Sequence, residues 1–340
     1  MDLIARCAEA ARARPGRIVF PDSLDERAIL AAARLAREGW AQPILLGNPF
    51  ALRAFCLKKG LRLTATPIID PATSPLLDRF VQTYAERRPN DPPEEIRAQM
   101  ADPLWFGAAL VEHGIASHCI AGNLATTAAV LRAGLRVIGL AEGNKTVSSI
   151  FFMLPPESNG GDGRILGFGD CGVVPCPTVE QLADIAISGA ESFRNVTGEA
   201  PRVAMLSFSS HGSARHPDAQ AVRAAAELVR ARRADLVVDG ELQFDAACVP
   251  SVAAQKVPDS PLSGKANVFI FPSLAAGNIG YKIAQRLGGY SAIGPMIQGL
   301  KRPMHDLSRG CSTEDMVEVS LVAMKMAPPT AARNEAGTAH

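Results

Sequence analysis

Chemically reactive residue types are concentrated in one short stretch near the C-terminus. The segment from Met304 to Asp315 reads MHDLSRGCSTED and combines an imidazole, hydroxyls, a guanidinium, a thiol and carboxylates. A helical pattern over 312–326 follows it, and the free N–H groups at a helix N-terminus attract anions. The stretch is therefore the strongest candidate for a reactive site that binds an anionic substrate.

Some residues of this stretch also fit structural roles. Ser312 and Asp315 have the spacing of a capping box, in which Asp315 would only close the first turn of the helix. Cys311 together with His305 suggests a thiol nucleophile, which needs a further His or Asn partner. The sequence assigns no such partner, so a buried, unreactive Cys311 is the favoured interpretation.

Two further loops follow predicted strands, where ligands bind in open α/β sheets. In the loop 207–215, Ser209 and Ser213 lie among small residues whose backbone N–H groups suit a phosphate, and a plain polar turn is an equal alternative. In the other loop, Gly277 and Asn278 allow close approach to a ligand, and a tight turn is again the alternative. No Walker-type loop or GxGxxG motif opens a helix, which argues against ATP-driven and Rossmann dinucleotide enzymes.

The overall composition excludes several classes of protein. Among 340 residues, 35 Lys and Arg balance 34 Asp and Glu, and aromatic residues make up 5%, which argues against a nucleic-acid-binding protein. No run approaches the ~18 apolar residues that a membrane helix needs, so no membrane partner is expected. The seven cysteines are scattered without a zinc-binding pattern, which predicts free thiols in a reducing cytoplasm and no bound metal.

Short apolar runs alternate with helical patterns along most of the chain, which predicts βαβ units and mainly parallel sheets. The charged stretch 73–113 breaks this alternation and is predicted to be a helical insertion over the sheet edge. Ser23 is predicted to open a capping box for the first long internal helix. Predicted strands lie at 17–20, 43–46, 67–69, 118–121, 149–153, 165–168, 202–208, 236–238 and 267–271. Predicted helices lie at 23–39, 179–197, 217–232, 244–255, 276–287 and 312–326.

Length and pattern together predict two α/β domains. A domain usually has about 150 residues, so a chain of 340 residues is long enough for two. The apolar pattern breaks at 141–145 and a Gly-rich loop follows at 158–163, so we expect the crossing between domains there.

Several motifs together resemble the phosphate acetyltransferase (phosphotransacetylase) family. The likeness covers nearly the whole chain, and details at 122–127 (GNLATT) and 169–171 (GDC) are most similar to the short ethanolamine-utilisation type. The remaining motifs are VFPD at 19–22, the serine loop at 209–215, VDGELQFDAA at 238–247, ANVFIFP at 266–272, AGNIGYKIAQRL at 276–287, GP at 294–295 and DLSRGC at 306–311.

The resemblance implies a fold class and a domain division. The family has two α/β domains with mainly parallel sheets and an interdomain cleft, similar to isocitrate and isopropylmalate dehydrogenases. Its final helix returns to the first domain, which would comprise 1–145 and 300–330, while 146–299 form the second domain. The end of the chain, 331–340, is predicted to be a disordered tail. Members of the family are usually homodimers.

The resemblance also implies a reaction and its residues. Family members interconvert acetyl-CoA plus phosphate with acetyl phosphate plus CoA, without a metal or a permanently bound cofactor. Asp315 would take the CoA thiol proton, Ser308 would hydrogen-bond the sulfur or the base, and Arg309 would grip the phosphate. We favour direct attack of the thiolate in a ternary complex over an acetyl-Cys311 intermediate. Binding of CoA or phosphate is assigned to Arg132, Arg87, Ser209, Ser213, Gly277 and Asn278.

Three alternative functions stay open. Transfer of propionyl or butyryl groups differs by only a few methylenes in the pocket. A non-catalytic regulatory module would share the fold without the chemistry. A metal-dependent dehydrogenase would need clustered acidic ligands, for which Asp239, Glu241 and Asp245 are the candidates.

The N-terminal residues 1–15 have the spacing of an amphipathic helix rather than of a signal peptide. An ordinary surface helix explains this pattern. The alternative is an address for a partner, which would associate this otherwise cytoplasmic bacterial enzyme with a microcompartment.

Overall fold

The computed structural model describes residues 2–63, 66–156 and 163–327, and its strands form two sheets. The first sheet is entirely parallel, in the order β11-β4-β1-β2-β3. Its strands are β1 (Gly16–Phe20), β2 (Ala41–Leu46), β3 (Ile68–Ile69), β4 (His118–Ala121) and β11 (Met304–Asp306).

The second sheet is mixed, in the order β10-β5-β6-β9-β7-β8. The pairs β10–β5 and β5–β6 are antiparallel, whereas the other three neighbouring pairs are parallel. Its strands are β5 (Ser148–Leu154), β6 (Leu166–Gly169), β7 (Arg202–Leu206), β8 (Val237–Leu242), β9 (Val268–Ile270) and β10 (Ser291–Gln298).

Helices connect the strands, and a π-helical turn at Gly134–Ile138 follows the seventh of them. None of the helices in the described ranges is long and apolar enough to cross a membrane. They are α1 (Leu3–Ala13), α2 (Glu26–Arg37), α3 (Pro49–Lys59), α4 (Leu77–Arg87), α5 (Pro93–Met100), α6 (Pro103–Glu112), α7 (Thr127–Ala133), α8 (Val179–Thr197), α9 (Pro217–Arg232), α10 (Phe244–Cys248), α11 (Pro250–Lys256), α12 (Leu274–Arg286) and α13 (Thr313–Met326).

The start of α2 differs from the sequence prediction. Asp25, not Ser23, caps this helix, because its carboxylate accepts the backbone N–H of Arg27. Ser23 is instead buried below the strand ends, where its hydroxyl donates to the Phe20 carbonyl and accepts the N–H of Leu46. The hydroxyl thus links β1 to β2, a contact between strands that the local spacing could not reveal.

The helical insertion covers a face of the first sheet rather than its edge, contrary to the prediction. Phe80 and Phe106, from α4 and α6, pack in one buried cluster with Val19, Leu46 and Cys119 from three adjacent strands. Side chains alternate along a strand, so Ile18 and Phe20 point to the opposite face and join a different cluster. The insertion therefore closes one side of the first sheet, as both-sided burial of parallel strands requires.

The second half of the chain differs from the prediction at three elements. The helix predicted at 244–255 is two helices, because Pro250 begins a new helix after the extended Val249. The strands β10 and β11 were not predicted. Gly294 and Pro295 interrupt the apolar pattern of β10 and coincide with a register shift, and β11 is only three residues long and includes His305 and Asp306. The predicted Gly-rich loop at 158–163 and the tail at 331–340 lie largely outside the described residues.

The chain passes between the sheets at 139–147 and again at 299–303, and these two connections are bridged by Leu140 and Leu300. After the second connection, β11 pairs with β4 in the first sheet, and α13 then packs against α1 and α2 as well as α8. One buried cluster consequently runs through both halves. The limits of the two domains stay a prediction, but loops that follow β4 and β11 of the first sheet and β6 of the second line one common cavity.

Candidate active site

The loops after β1, β4 and β11 meet at one edge of the first sheet. These strands are adjacent and parallel, so their carboxyl ends coincide. Asp22, which follows β1, accepts the backbone N–H groups of Gly122, Leu124 and Ala125 at 3.0–3.1 Å. The carboxylate therefore fixes the loop that leads from β4 into α7.

Arg27 holds the loop that contains the predicted catalytic residues. Its guanidinium donates to the carbonyls of Arg309 and Cys311 at 2.8 and 2.7 Å. The same group pairs with Asp25 at 2.6 Å and donates to the Asn123 carbonyl. Burial alone would raise the pKa of Asp25, but hydrogen bonds from Arg27 and Asn123 hold it below its usual value. Arg27 was not predicted as a site residue, because its only signal in the sequence is its place after the first strand.

Asp306 is a buried carboxylate beside this loop. It is 2% exposed, its Oδ2 accepts the Thr127 hydroxyl at 2.5 Å, and its Oδ1 has no hydrogen-bond partner among the described residues. Burial raises the pKa of Asp306 to about 6, the Thr127 hydrogen bond opposes that rise, and Asp22 adds to it. A β-carbon on Gly122 would lie 2.1 Å from Oδ1, so only glycine leaves room for the carboxylate.

The cleft between the sheets consists of two adjoining cavities of about 300 and 390 Å³. Five residues line both cavities: Phe151, Tyr281, Pro295, Leu307 and Ser308. The Phe151 and Tyr281 rings stack with their centroids 4.2 Å apart and form an apolar wall. Ser308 therefore stands at the junction of the two cavities.

The smaller cavity, which we call the acidic cavity, holds Asp315 and Glu318 on α13, with Lys282 and Arg286 of α12 opposite. Asp315 also closes the capping box that the sequence predicts: its Oδ2 accepts the Ser312 N–H at 2.7 Å, and its own N–H donates to the Ser312 hydroxyl. Capping and a position in the cleft are thus compatible for Asp315.

Two titratable groups of the acidic cavity have displaced pKa values. Burial, then Glu314, Asp315 and Asp2, raise the pKa of Glu318 to about 7. Burial raises the pKa of the Cys311 thiol to about 11, although Arg27 lowers it. Cys311 is 7% exposed, so a protonated, enclosed thiol is what the structure presents.

The larger cavity, which we call the arginine cavity, holds Arg309, Asp306, Thr127 and Asn278. The Arg309 side chain is exposed and has no ion pair or hydrogen bond within the described ranges, so its donors are free for a ligand. Asn278 is held by donation to the Cys171 carbonyl at 3.2 Å. A guanidinium and an amide thus border the same space.

The second sheet contributes a loop that is organised by Asp170. Its buried carboxylate accepts the N–H groups of Ser149, Gly172, Val173 and Val174, which bend the chain after β6 toward the cleft. Gly277 packs against this loop, because a β-carbon there would lie 2.3 Å from the Asp170 carbonyl oxygen. Gly277 therefore brings α12, and Asn278 with it, close to the loop.

The structure does not bring the serine loop to the cleft. Ser209 is fully buried, and its hydroxyl donates to Glu241 at 2.9 Å. Ser213 contacts the Ser209 hydroxyl, and Arg223 pairs with Glu241 at 2.9 Å. Burial tends to raise the pKa of Glu241, but bonds from Arg223, Gly212 and Ser209 lower it to about 2. The loop encloses an internal carboxylate rather than an external phosphate.

Two predicted arginines lie away from both cavities. Arg87 pairs with Glu112 at 2.8 Å and donates to the Val137 carbonyl, which ties α4 to the π-helical turn. Arg132 is exposed in the last turn of α7 and lines neither cavity. Of the six predicted binding residues, only Asn278 borders the cleft, and Gly277 supports it.

The acidic residues considered for a metal have separate partners. Asp239 is bonded by Arg230 and Ser260, Glu241 by Arg223, and Asp245 by Lys256. Among the residues that the structure describes, no cluster of His, Cys, Asp or Glu is arranged to hold a metal ion. Each carboxylate is therefore engaged in an ion pair within the chain, buried for Asp239 and Glu241 and exposed for Asp245.

Known proteins resemble this chain over nearly its full length. The sequence model described as "Phosphate acetyl/butaryl transferase" matches residues 2–324. A phosphate acetyltransferase of Staphylococcus epidermidis is 43% identical over 332 residues, covering 96% of this chain and 99% of that protein.

Solved structures agree with the sequence relatives. The EutD phosphotransacetylase from Staphylococcus aureus has a TM-score of 0.87 and 39% identity, and a phosphotransacetylase from Streptococcus pyogenes has 0.89 and 39%. Each alignment covers 95% of this chain and 98% of the other. The predicted fold class of two α/β domains is confirmed, as is the resemblance that the motifs indicated. This chain belongs to the phosphate acetyl/butaryl transferase family.

Proposed function

We propose that the chain is a phosphate acetyltransferase that interconverts acetyl-CoA plus phosphate with acetyl phosphate plus CoA by direct transfer between the two substrates. One observation carries this proposal: Ser308 stands at the junction of the two cavities. The arginine cavity holds Arg309, which is unpaired in the part of the chain that the structure describes, and the acidic cavity holds Asp315. Acyl transfer needs an acyl phosphate and a thiol to meet at one point, and two adjoining cavities supply that geometry.

The arginine cavity suits the phosphate. The planar guanidinium of Arg309 can bond two phosphate oxygens, and Asn278 offers further polar atoms. As the C–O bond to phosphate breaks, negative charge grows on the leaving oxygens, and Arg309 stabilises it. Arg27 holds the backbone carbonyls of Arg309 and Cys311, so the backbone from which the Arg309 side chain extends is fixed.

The acidic cavity suits the thiol end of CoA. Lys282 and Arg286 at its border attract the phosphates of CoA, which is a substrate here rather than a resident cofactor. Asp315 takes the thiol proton, and the thiolate attacks the acetyl carbonyl carbon. The C–S bond forms, the C–O bond to phosphate breaks, and phosphate leaves. Ser308, at the junction, donates a hydrogen bond to the sulfur or to the base.

Direct transfer is favoured over an acetyl-Cys311 intermediate. A thiol acts as a nucleophile only as thiolate, and burial raises the pKa of Cys311 to about 11. Its backbone carbonyl is bonded to Arg27, which gives the residue a structural role in the loop.

The test of this proposal is the variant Asp315→Asn. An amide oxygen can still accept the Ser312 N–H, so the helix cap is kept while the proton acceptor is lost. We expect kcat to fall by roughly 10²–10⁴-fold with near-normal melting. The matched control is Glu314→Gln, which removes the same charge from the same turn. Near-wild-type turnover of Asp315→Asn would reduce Asp315 to a helix cap and refute its role as base.

We further propose that the protein is a homodimer. Phe208, Phe244 and Ile283 are exposed and border one almost wholly apolar groove with Phe271 and Ala276. Monomers rarely expose such a patch, and a second copy of the chain would bury it by two-fold symmetry. Ile283→Asp should lower the molecular mass measured by sedimentation equilibrium from that of a dimer toward that of a monomer. A monomeric wild type would contradict the proposal.

A cytoplasmic setting is the last part of the proposal. All seven cysteines are unpaired and five of them are buried, which suits a reducing compartment. Association with an ethanolamine-utilisation microcompartment stays a prediction. Leu3, Cys7 and Ala11 of α1 are buried in the core next to α13, so a partner that binds α1 in place would contact its polar face.

A further inference from the structure

A separate cavity of about 500 Å³ lies where the two sheets are connected. Ala141 and Asn144 of the first connection and residues 299–303 of the second line it, as do residues of α8 and the end of α13. It shares no lining residue with either cavity of the active-site cleft. We call it the hinge cavity.

His305 supplies an unused hydrogen-bond donor to the hinge cavity. The residue is 2% exposed and lines the cavity, and its Nδ1 accepts the N–H of Ile297 at 3.1 Å. Burial, then the nearby His118, lower the pKa of His305 to about 3, so the ring is neutral at pH 7. A neutral ring that accepts at Nδ1 carries its proton on Nε2. This Nε2–H has no acceptor among the described residues.

Cationic side chains surround this donor. Arg194, Arg233, Lys301 and Arg302 line the cavity, against the single carboxylate of Glu191. Several have partial partners: Glu191 and Asp235 pair with Arg233, and Glu112 with Lys301 at 3.2 Å. Arg194 and Arg302 reach their nearest carboxylates only at 4.0 Å, and the buried Nε of Arg302 makes no hydrogen bond. The cavity therefore keeps unsatisfied donors and an excess of positive charge.

We propose that the hinge cavity is a binding site for a small organic anion bearing carboxylate or phosphate groups, distinct from the active-site cleft. The anion accepts hydrogen bonds from His305, Arg302 and Arg194, which all line the cavity. Apolar lining by Ile297 and Met326 suits a carbon skeleton between the charged groups. The inference does not rest on acyl transfer, because none of these residues takes part in it.

The position of the hinge cavity relates such a ligand to the relative orientation of the two sheets. It touches both connections at once, and these are the segments that link the sheet bearing Ser308 to the sheet bearing Asn278. A ligand that fits one relative orientation of the sheets better than another shifts the population toward it.

The experiment is calorimetric titration of the intact protein with citrate and, separately, with glycerol 2-phosphate. These probes distinguish carboxylate from phosphate recognition. We expect saturable binding of at least one probe with a dissociation constant below about 10 mM. Arg302→Gln and Arg194→Gln should each weaken that binding by about tenfold, the usual effect of losing a charged hydrogen bond. Absence of saturable binding by both probes overturns the proposal.

Two controls separate the site from general charge effects. Arg37→Gln removes one exposed positive charge elsewhere and should leave affinity unchanged. Arg309→Gln removes the cleft arginine and should also leave it unchanged, whereas loss of binding in this variant alone would put the probe in the cleft and refute the hinge site.

A pair of substitutions tests the buried donor. His305→Gln can present an amide N–H near the Nε2 position, whereas His305→Asn keeps an acceptor for the Ile297 N–H and lacks the longer reach. We expect His305→Asn to lose affinity and His305→Gln to retain most of it. Equal affinity of wild type and His305→Asn, both folded by melting, would overturn the role of Nε2.

Discussion

The contacts of Arg27 with the Arg309 and Cys311 carbonyls indicate that it positions the loop that carries Ser308 and Arg309, and Arg27→Gln tests this role. The guanidinium contacts five groups: the Asp25 carboxylate, the carbonyls of Asn123, Arg309 and Cys311, and the Cys311 sulfur at 3.8 Å. A glutamine side chain is shorter and can replace at most one or two of them. The substitution therefore releases the loop backbone from α2.

The expected loss in the free energy of unfolding arises because Arg27→Gln leaves the Asp25 carboxylate without its cation. Asp25 is 8% exposed, and breaking a buried ion pair costs roughly 3–5 kcal/mol. Asp25 would keep the Asn123 amide and a backbone N–H, so we expect the lower end, about 3 kcal/mol. A shift of about 1 Å in catalytic geometry costs about 10²-fold in rate, which sets the expected fall in kcat.

The assay combines urea unfolding with steady-state kinetics on Arg27→Gln and on the control Arg34→Gln. Arg34 lies on the same helix, and its ion pair with Glu314 is 35% and 54% exposed, so its loss should cost about 1 kcal/mol or less. If Arg27→Gln lost no more stability than Arg34→Gln and kept its kcat, the proposed positioning role would be refuted.

Three further predictions concern titratable groups of the cleft. Because Asp306 has a pKa of about 6 instead of 3.8, the native state keeps this proton to a higher pH than the unfolded state, so the free energy of unfolding should fall as pH rises from about 4 to 6. Asp306→Asn should remove this pH dependence and raise the free energy of unfolding by up to about 3 kcal/mol at pH 8. An unchanged pH dependence of urea unfolding in this variant would contradict the prediction. Glu318→Gln should keep kcat within about threefold while Asp315 serves as the base; a fall of 10²-fold or more would transfer that role to Glu318. Cys311→Ala should retain most activity, and mass-spectrometric detection of acetyl-Cys311 after acetyl phosphate alone would disprove direct transfer.

The segment that the sequence singled out for its reactive side chains borders the cleft in the structure. The stretch from Asp306 to Asp315 combines reactive side chains with the start of a predicted helix, whereas β11, the strand that places it at a sheet edge, was not predicted. The strand pattern likewise predicted most parallel strands, because buried strands are short apolar runs between helices.

The rest depended on contacts between distant residues. Arg27 reaches a loop more than 280 residues away, and no local pattern records that contact. The loop around Ser209 has the composition of a phosphate-binding loop, yet the Ser209 hydroxyl donates a hydrogen bond to Glu241. The burial of Glu241 is set by the pairing of β7 with β8. Gly294 and Pro295 interrupt the side-chain pattern from which a strand is predicted, so β10 was not predicted. The strand nevertheless pairs with β5 through backbone hydrogen bonds.

The central claim is that the chain transfers an acetyl group between phosphate and CoA at the junction marked by Ser308. The most direct measurement is the formation of acetyl-CoA from acetyl phosphate and CoA, followed by thioester absorbance and by released phosphate, with and without a chelator of divalent metals. We expect equal amounts of thioester and phosphate, no loss of activity with the chelator, and nearly complete loss of activity in Asp315→Asn. Absence of thioester formation by the wild type, or activity restored after chelation only by one specific divalent cation, would contradict it.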